Sequence, residues 1–200
     1  MKIVIVGGNG TIGKSIAKNF SKTHEVITAG RNNADLYVDI TKSNSIKSLF
    51  DKLGKVDAVI GAAGEAKWAD FKELSEEDYY IGFKSKLMGQ VNLVRIGQNY
   101  LNPNGSFTLT TGILADDPVI KTSSAAMVNG AIHSFVKAVA LELENGMRVN
   151  AVSAGTAEEA YDKYKDYFPG HLPVPMKKVV AGYEKSVLGK DTGRIFRIYE

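Results

Sequence analysis

Apolar positions gather in short closed runs separated by longer amphipathic stretches, and this alternation continues from one end of the chain to the other. Ile3, Val4, Ile5 and Val6 follow one another with no polar position between them, which suits a strand buried on both faces at the centre of a parallel sheet. Residues 26–28, 37–40, 56–60, 106–111, 148–152 and 194–198 carry the same signal more briefly. Between these runs, residues 14–23, 46–53, 75–100, 123–143 and 176–188 read as helices. Ser75 ahead of Glu76, Glu77 and Asp78 is a helix start, with its cap and its first-turn acids. The stretch 123–143 is apolar nearly all round, so it needs two partners: the sheet on one side and, as a candidate, a second copy of the chain on the other. Residues 32–37 are too few for an ordinary crossover helix, 102–105 form a turn, and 168–175, with three prolines, form a loop. No repeat, linker or low-complexity tract interrupts the pattern. It predicts one α/β domain over 1–200, a Rossmann-like doubly wound parallel sheet in three α/β/α layers.

The first strand runs straight into Gly7-Gly8-Asn9-Gly10-Thr11-Ile12-Gly13. Gly8, Gly10 and Gly13 have the G-x-G-x-x-G spacing in the context that gives it meaning: buried strand, tight turn, helix. Glycines there admit a pyrophosphate close to the backbone, and the helix start offers it free N–H groups and the positive end of a dipole. A dinucleotide is the expected ligand. NAD sites place a carboxylate about 20 residues after the glycine turn, to accept from a ribose hydroxyl. Here Arg31 stands at the end of the second strand, and a guanidinium fits a 2′-phosphate. NADP is therefore expected in preference to NAD. Gly61-Ala62-Ala63-Gly64, after the fourth strand, leaves room for a flat ligand over the sheet edge.

Composition mostly excludes. There is no cysteine, so disulfides, thiol catalysis and zinc–thiolate sites are ruled out. No metal site is expected. The net charge of +3 is mild and its lysines and arginines are scattered, which argues against a nucleic-acid surface. No apolar run approaches the roughly 18–20 residues of a membrane span, and the first residues do not read as a signal peptide. A cytoplasmic protein without membrane or nucleic-acid partners is expected.

Taken in order, several of these segments resemble the short-chain dehydrogenase/reductase family. They are Gly7 to Gly13, Asp39-Ile40, Ala63-Gly64, Ala140-Leu141-Glu142-Leu143, the run from Arg148 to Gly155, and Thr192-Gly193. The resemblance covers nearly the whole chain, with Thr11 and Ala154 departing from the commonest family forms. It implies an oxidoreductase acting on a small carbonyl or alcohol. Gly7, Asn9, Gly10, Thr11, Ile12 and Gly13 would then wrap the pyrophosphate, and Arg31 would meet the adenosine phosphate. Asp39 and Ile40 would flank the adenine, with Ala62, Ala63 and Gly64 near its ribose. Ala154, Gly155 and Thr156 would lie by the nicotinamide, and Asn129 would also contact the cofactor. A homodimer or homotetramer is implied.

The same resemblance removes the usual acid–base pair. Counting back from Ala140 and Glu142, the family's proton-donating tyrosine falls at Ala125 and its lysine at Asn129. The family's helix asparagine falls at Lys86 and its serine at Thr110 or Thr111, preferably Thr111. Lys86 and Thr111 are accordingly the candidate catalytic groups, since a desolvated lysine can serve as an acid near neutrality. Tyr161, Tyr164 and Tyr167 are candidates to line the substrate mouth. His133 reads as a packed or interface residue, and His24 and His171 as loop residues. The alternative is a non-catalytic NADP-binding sensor that acts through a protein partner.

Overall fold

A computed structural model describes residues 1–199. Seven strands form one parallel sheet: β1 (Lys2–Val6), β2 (Glu25–Gly30), β3 (Leu36–Tyr37), β4 (Val56–Gly61), β5 (Leu101–Gly112), β6 (Arg148–Ala154) and β7 (Ile195–Ile198). Their order across the sheet is β3-β2-β1-β4-β5-β6-β7. The chain moves outward from β1 to one edge, returns to its other side, and continues to the far edge. That reversal opens a crevice above the carboxyl ends of β1 and β4, where such sheets take their ligands. The doubly wound three-layer fold is the one that the strand pattern predicts.

The helices are α1 (Thr11–Phe20), α2 (Ser43–Leu53), α3 (Glu76–Gly82), α4 (Met88–Gly97), α5 (Ser123–Val139), α6 (Glu158–Tyr164) and α7 (Met176–Leu188). Successive strand side chains point to opposite faces, so each strand feeds two cores. Val4, Val6, Val59 and Leu109 pack beneath α2, α4 and α5 with Phe50, Leu93 and Ile132. Ile3, Ile5, Ile60 and Val152 pack beneath α1 and α7 with Ile16, Val179 and Tyr183. The four residues of the first apolar run are fully buried, which explains their lack of alternation.

Several boundaries differ from the sequence reading; the third strand, for one, is only Leu36–Tyr37 rather than 37–40. The first helix begins at Thr11 and ends at Phe20, earlier at both ends. The stretch 75–100 is three stacked segments: α3, a π-helical turn Phe83–Leu87, and α4. Ser75 caps it as expected, its hydroxyl accepting from the Asp78 N–H while the Asp78 carboxylate accepts from the Ser75 N–H. α5 stops at Val139, because the next turns tighten before Asn145 and Gly146 take positive φ. Residues 102–105 do turn, but inside β5: Val56 pairs with Leu101 and Ala58 with Ser106, so they bulge out of the ladder.

Two of the family-like segments meet at the far edge. The Arg148 guanidinium donates to the Ser186 and Val187 carbonyls at 2.7 and 2.9 Å, closing the C-terminal end of α7. Buried Asn150 donates to the Asp191 carbonyl (2.8 Å) and accepts from the Arg194 N–H (3.0 Å). The Gly193 N–H donates to the Val149 carbonyl at 2.7 Å, with Gly193 at φ +71°. This network hangs β7 on β6. Asn150→Ala would leave those backbone groups unpaired, and should lower the unfolding free energy by about 1–3 kcal/mol in a urea titration. An unchanged midpoint would show that the network does not hold the edge.

Candidate active site

The carboxyl edge of the sheet carries two connected clefts. The first, about 370 Å³, lies over β1 and β2. Gly7, Asn9 and Gly10 form one wall, Arg31, Asp39 and Ile40 the other, and Ala63 with Gly64 the end. The glycine turn is shaped by contact. A Cβ on Gly13 would lie 2.1 Å from the Gly7 carbonyl oxygen, and Gly7 itself has φ +88°. Only glycines let α1 start this close to the strand that feeds it. Asn9 donates to the Asn32 carbonyl (3.1 Å) and to that of Asn33, and the Asp35 carboxylate accepts from the Thr28 N–H and hydroxyl at 2.8 and 2.7 Å. The loop bearing exposed Arg31 is thus pinned at both ends. Asp39 is turned to its own loop, accepting from the Thr41 N–H and hydroxyl, which hold its carboxyl below the usual range.

The second cleft, about 780 Å³, shares Gly64 and Glu65 with the first and continues over β4, β5 and β6. Thr11 and Ile12 enter it from α1, Asn129 from α5, and Ala154, Gly155 and Thr156 from the end of β6. That strand end is held by Tyr199, whose hydroxyl lies 2.9 Å from Ser153 Oγ. Lys86 lies on the π-helical turn, its backbone packed so tightly on Gly64 that a Cβ there would meet Lys86 Cα at 2.7 Å. Such turns recur at functional sites. Burial pulls the Lys86 ammonium down from 10.5 to about 8, and among the described residues no carboxylate or hydrogen-bond acceptor pairs with it.

Not every expected residue faces the ligand space. Gly13 and Ala62 lie beneath the turn, the Ala62 N–H donating to the Val6 carbonyl at 2.7 Å. Thr111 is buried, its hydroxyl 2.9 Å from His133 Nε2, and lines neither cleft. The residue that faces the cleft from the end of β5 is Gly112. His133 is a packed residue, with burial lowering its pKa. Residues 158–173 leave the sheet and return, tied at the base by Glu158 N–H to Val174 O and Val174 N–H to Thr156 O. This excursion brings Tyr164, Tyr167 and Phe168 to the cleft, whereas the Tyr161 hydroxyl donates to the His171 carbonyl instead. Glu65, Trp68, Lys163 and Phe168 line the cleft without having been singled out. The lone tryptophan, just behind the small-residue run, was the one available signal.

The fit to a dinucleotide rests on two features. Side chains are excluded at Gly7, Gly8 and Gly13, which keeps the turn tight beneath the first cleft, and the buried Asn129 Oδ1 has no hydrogen-bond partner within the protein. A buried acceptor of this kind needs a donor, which a ribose hydroxyl would supply. Among the described residues there is no cluster of metal-ligating side chains, and no helix is long and apolar enough to cross a membrane. Fold and clefts together define a nucleotide-binding protein of the doubly wound class.

Comparison with known proteins narrows that class. The family model described as enoyl-(acyl carrier protein) reductase matches residues 11–172. The chain belongs to the short-chain dehydrogenase/reductase family of NAD(P)-dependent oxidoreductases. The protein lin1944 from Listeria innocua has a similar structure, with TM-score 0.98 and 46% identity over 100% of both chains. A small-chain dehydrogenase in complex with NADPH superposes with TM-score 0.88 and 29% identity, over 99% of this chain and 96% of that one. A short-chain dehydrogenase/reductase of Pestalotiopsis microspora is 28% identical over 154 residues, 73% of this chain and 58% of the relative. The chain therefore spans about three-fifths of that relative's length.

Lys86 gives a stability test of the site. Its folded value of about 8 lies below the ordinary 10.5, so the unfolded chain binds more protons between those values. Stability then rises with pH across that window, and the cost of the buried ammonium is fully present below it. Lys86→Met should raise the unfolding free energy at pH 7 by about 1–3 kcal/mol. The gain should shrink at pH 10. A variant less stable than the native protein at pH 7 would contradict the burial of an unpaired charge.

Proposed function

We propose that the chain is an NADP-dependent oxidoreductase acting on a small carbonyl or alcohol, with Lys86 as the proton donor in place of the family's tyrosine. The observation that carries this reading is the unpaired Lys86 ammonium in the second cleft, which Asn129, with its own unpaired Oδ1, also lines from α5. By resemblance, lysine and asparagine have exchanged walls: Lys86 stands at the asparagine's place and Asn129 at the lysine's. A bound nicotinamide would supply or accept the hydride. The chain's own residues do the rest. Gly7, Asn9, Gly10, Thr11 and Ile12 hold the pyrophosphate, and Arg31 meets the 2′-phosphate. Asn129 accepts from the ribose, and Ala154 to Thr156 bound the nicotinamide. Lys86 gives its proton to the oxygen of a carbonyl as it is reduced, and regains one from solvent. With an acidity near 8 it is charged at pH 7 yet able to give up the proton. Thr111, held by His133 behind the wall, is left out of the reacting set. Met88 on α4 and Met127 on α5, both exposed apolar side chains, support a homodimer or homotetramer.

One observation favours the second reading, a non-catalytic NADP sensor working through a protein partner. Ala125 and Gly112 offer the cleft no dissociable proton from the α5 and β5 walls.

Two measurements test the first reading. NADPH should bind about tenfold tighter than NADH, and Arg31→Ala should erase the difference; equal affinities in the native protein would overturn the cofactor assignment. NADPH oxidation against aldehydes, ketones and quinones should be abolished in Lys86→Met while NADPH still binds. Unchanged turnover would remove Lys86 from the chemistry, and tight binding without turnover in the native protein would favour the sensor.

A further inference from the structure

The inner part of the second cleft has a definite character once the cofactor's share is set aside. Trp68 stands at the centre of an aromatic wall. Its ring centroid lies 5.5 Å from that of Tyr164, 5.8 Å from Tyr167 and 6.5 Å from Phe168. The four rings belong to two separate segments, the loop before α3 and the excursion 158–173, so the wall exists only where those segments meet. Ile113, Leu114 and Ala125 extend the apolar surface. Gly112 and Ala125 add almost no side-chain volume, which leaves the space beside them open to a ligand.

Charge is as one-sided as the aromatic content. Three lysines line the cleft, Lys67, Lys86 and Lys163, against the single carboxylate of Glu65. Lys67, Lys163 and Glu65 are exposed at the rim, where salt and water weaken them. Lys86 is the inner charge, and no described carboxylate faces it from the π-helical turn, from α5 or from the strand ends. A desolvated cation beside an apolar aromatic wall is poorly matched to a neutral aliphatic ligand, which would bury the charge further without offering a partner. It is well matched to a flat ring system carrying an oxygen that is anionic or becomes so.

We propose that this cleft binds a planar aromatic molecule bearing a carboxylate or phenolate oxygen, the ring lying against Trp68, Tyr164, Tyr167 and Phe168 and the oxygen pairing with Lys86. The inference rests on the reading of the second cleft as the pocket beside the cofactor, and it names the occupant. The same arrangement suits a quinone or an aryl ketone, whose oxygen gains negative charge when reduced and would meet the same ammonium.

Trp68 makes binding observable without turnover, because the chain has one tryptophan and so one indole N–H signal. Protein saturated with NADP⁺ is titrated at pH 7 with 2-naphthoate, and separately with the neutral 2-naphthalenemethanol and the non-aromatic cyclohexanecarboxylate. The expected result is a saturable shift of the indole signal by 2-naphthoate, with affinity about tenfold above either control. Lys86→Met should reduce 2-naphthoate to the level of the neutral compound, and Lys86→Arg should restore most of the difference. An indole signal that 2-naphthoate does not move, or a Lys86→Met variant that binds it as tightly as native protein, would overturn the proposal. NADPH affinity, measured separately by calorimetry, tells the two failures apart. Loss of cofactor binding speaks against the oxidoreductase reading, whereas a silent indole signal in protein that holds NADP⁺ speaks only against the aromatic anion.

Discussion

Both clefts depend on how closely α1 approaches the turn from which it grows. The carbonyl of Gly7 occupies the space that any side chain at residue 13 would need, so the helix starts directly above the end of β1. Had α1 begun one turn further out, its first N–H groups would point at solvent rather than at the crevice between β1 and β4. Close approach at one point thus converts a generic helix terminus into an anion site. Because β1 sits between β2 and β4, the same point lies where the two clefts of the sheet edge meet.

In the second cleft the chain sets a different balance. A half-buried, unpaired ammonium costs stability, and a fold keeps such a group only where packing elsewhere offsets it. The two cores flanking the sheet provide that margin, with all four residues of the first apolar run fully buried. Lys86 is also held in position rather than merely tolerated. The π-helical turn breaks the register between α3 and α4 at this point, and Gly64 permits the backbone of the turn to close on the strand end. A surface lysine on a regular helix would escape into water along its own stem. Here the backbone contact with Gly64 limits that freedom.

What could be read from the chain beforehand follows a physical division. The alternation of strands and helices, the two-faced burial of β1 and the glycine turn were legible because each is written locally, in runs of a few residues with one dominant constraint. Asn150 and Thr192-Gly193 were legible only as family-like segments; their reason, the hanging of β7 on β6, needs residues more than 40 positions apart to meet. Thr111, expected to face the cleft, is buried instead for a related cause. Neighbouring residues of a strand face opposite sides, so one position at the end of β5 separates a cleft residue, Gly112, from one buried against His133. Of the aromatic wall, Tyr164 and Tyr167 were legible as candidates for the cleft mouth; that Trp68 and Phe168 join them was not, since they come together only when the 158–173 excursion folds back on its base.

The proposed exchange of lysine and asparagine would change what kind of oxygen the site can serve. A tyrosine proton donor is neutral before it reacts and anionic afterwards, so its environment must stabilise a negative charge. A lysine donor is cationic before and neutral afterwards, and desolvation favours that direction. The surroundings of Lys86 meet this requirement: no carboxylate holds its proton, and the wall beyond it is apolar. On that proposal Arg31 and the glycine turn keep their place while the proton's source moves to the π-helical turn. On the proposed reading, cofactor binding and proton supply fall on different elements of this fold, the first on β1, α1 and β2 and the second on the turn between α3 and α4, so one could be rearranged without disturbing the other.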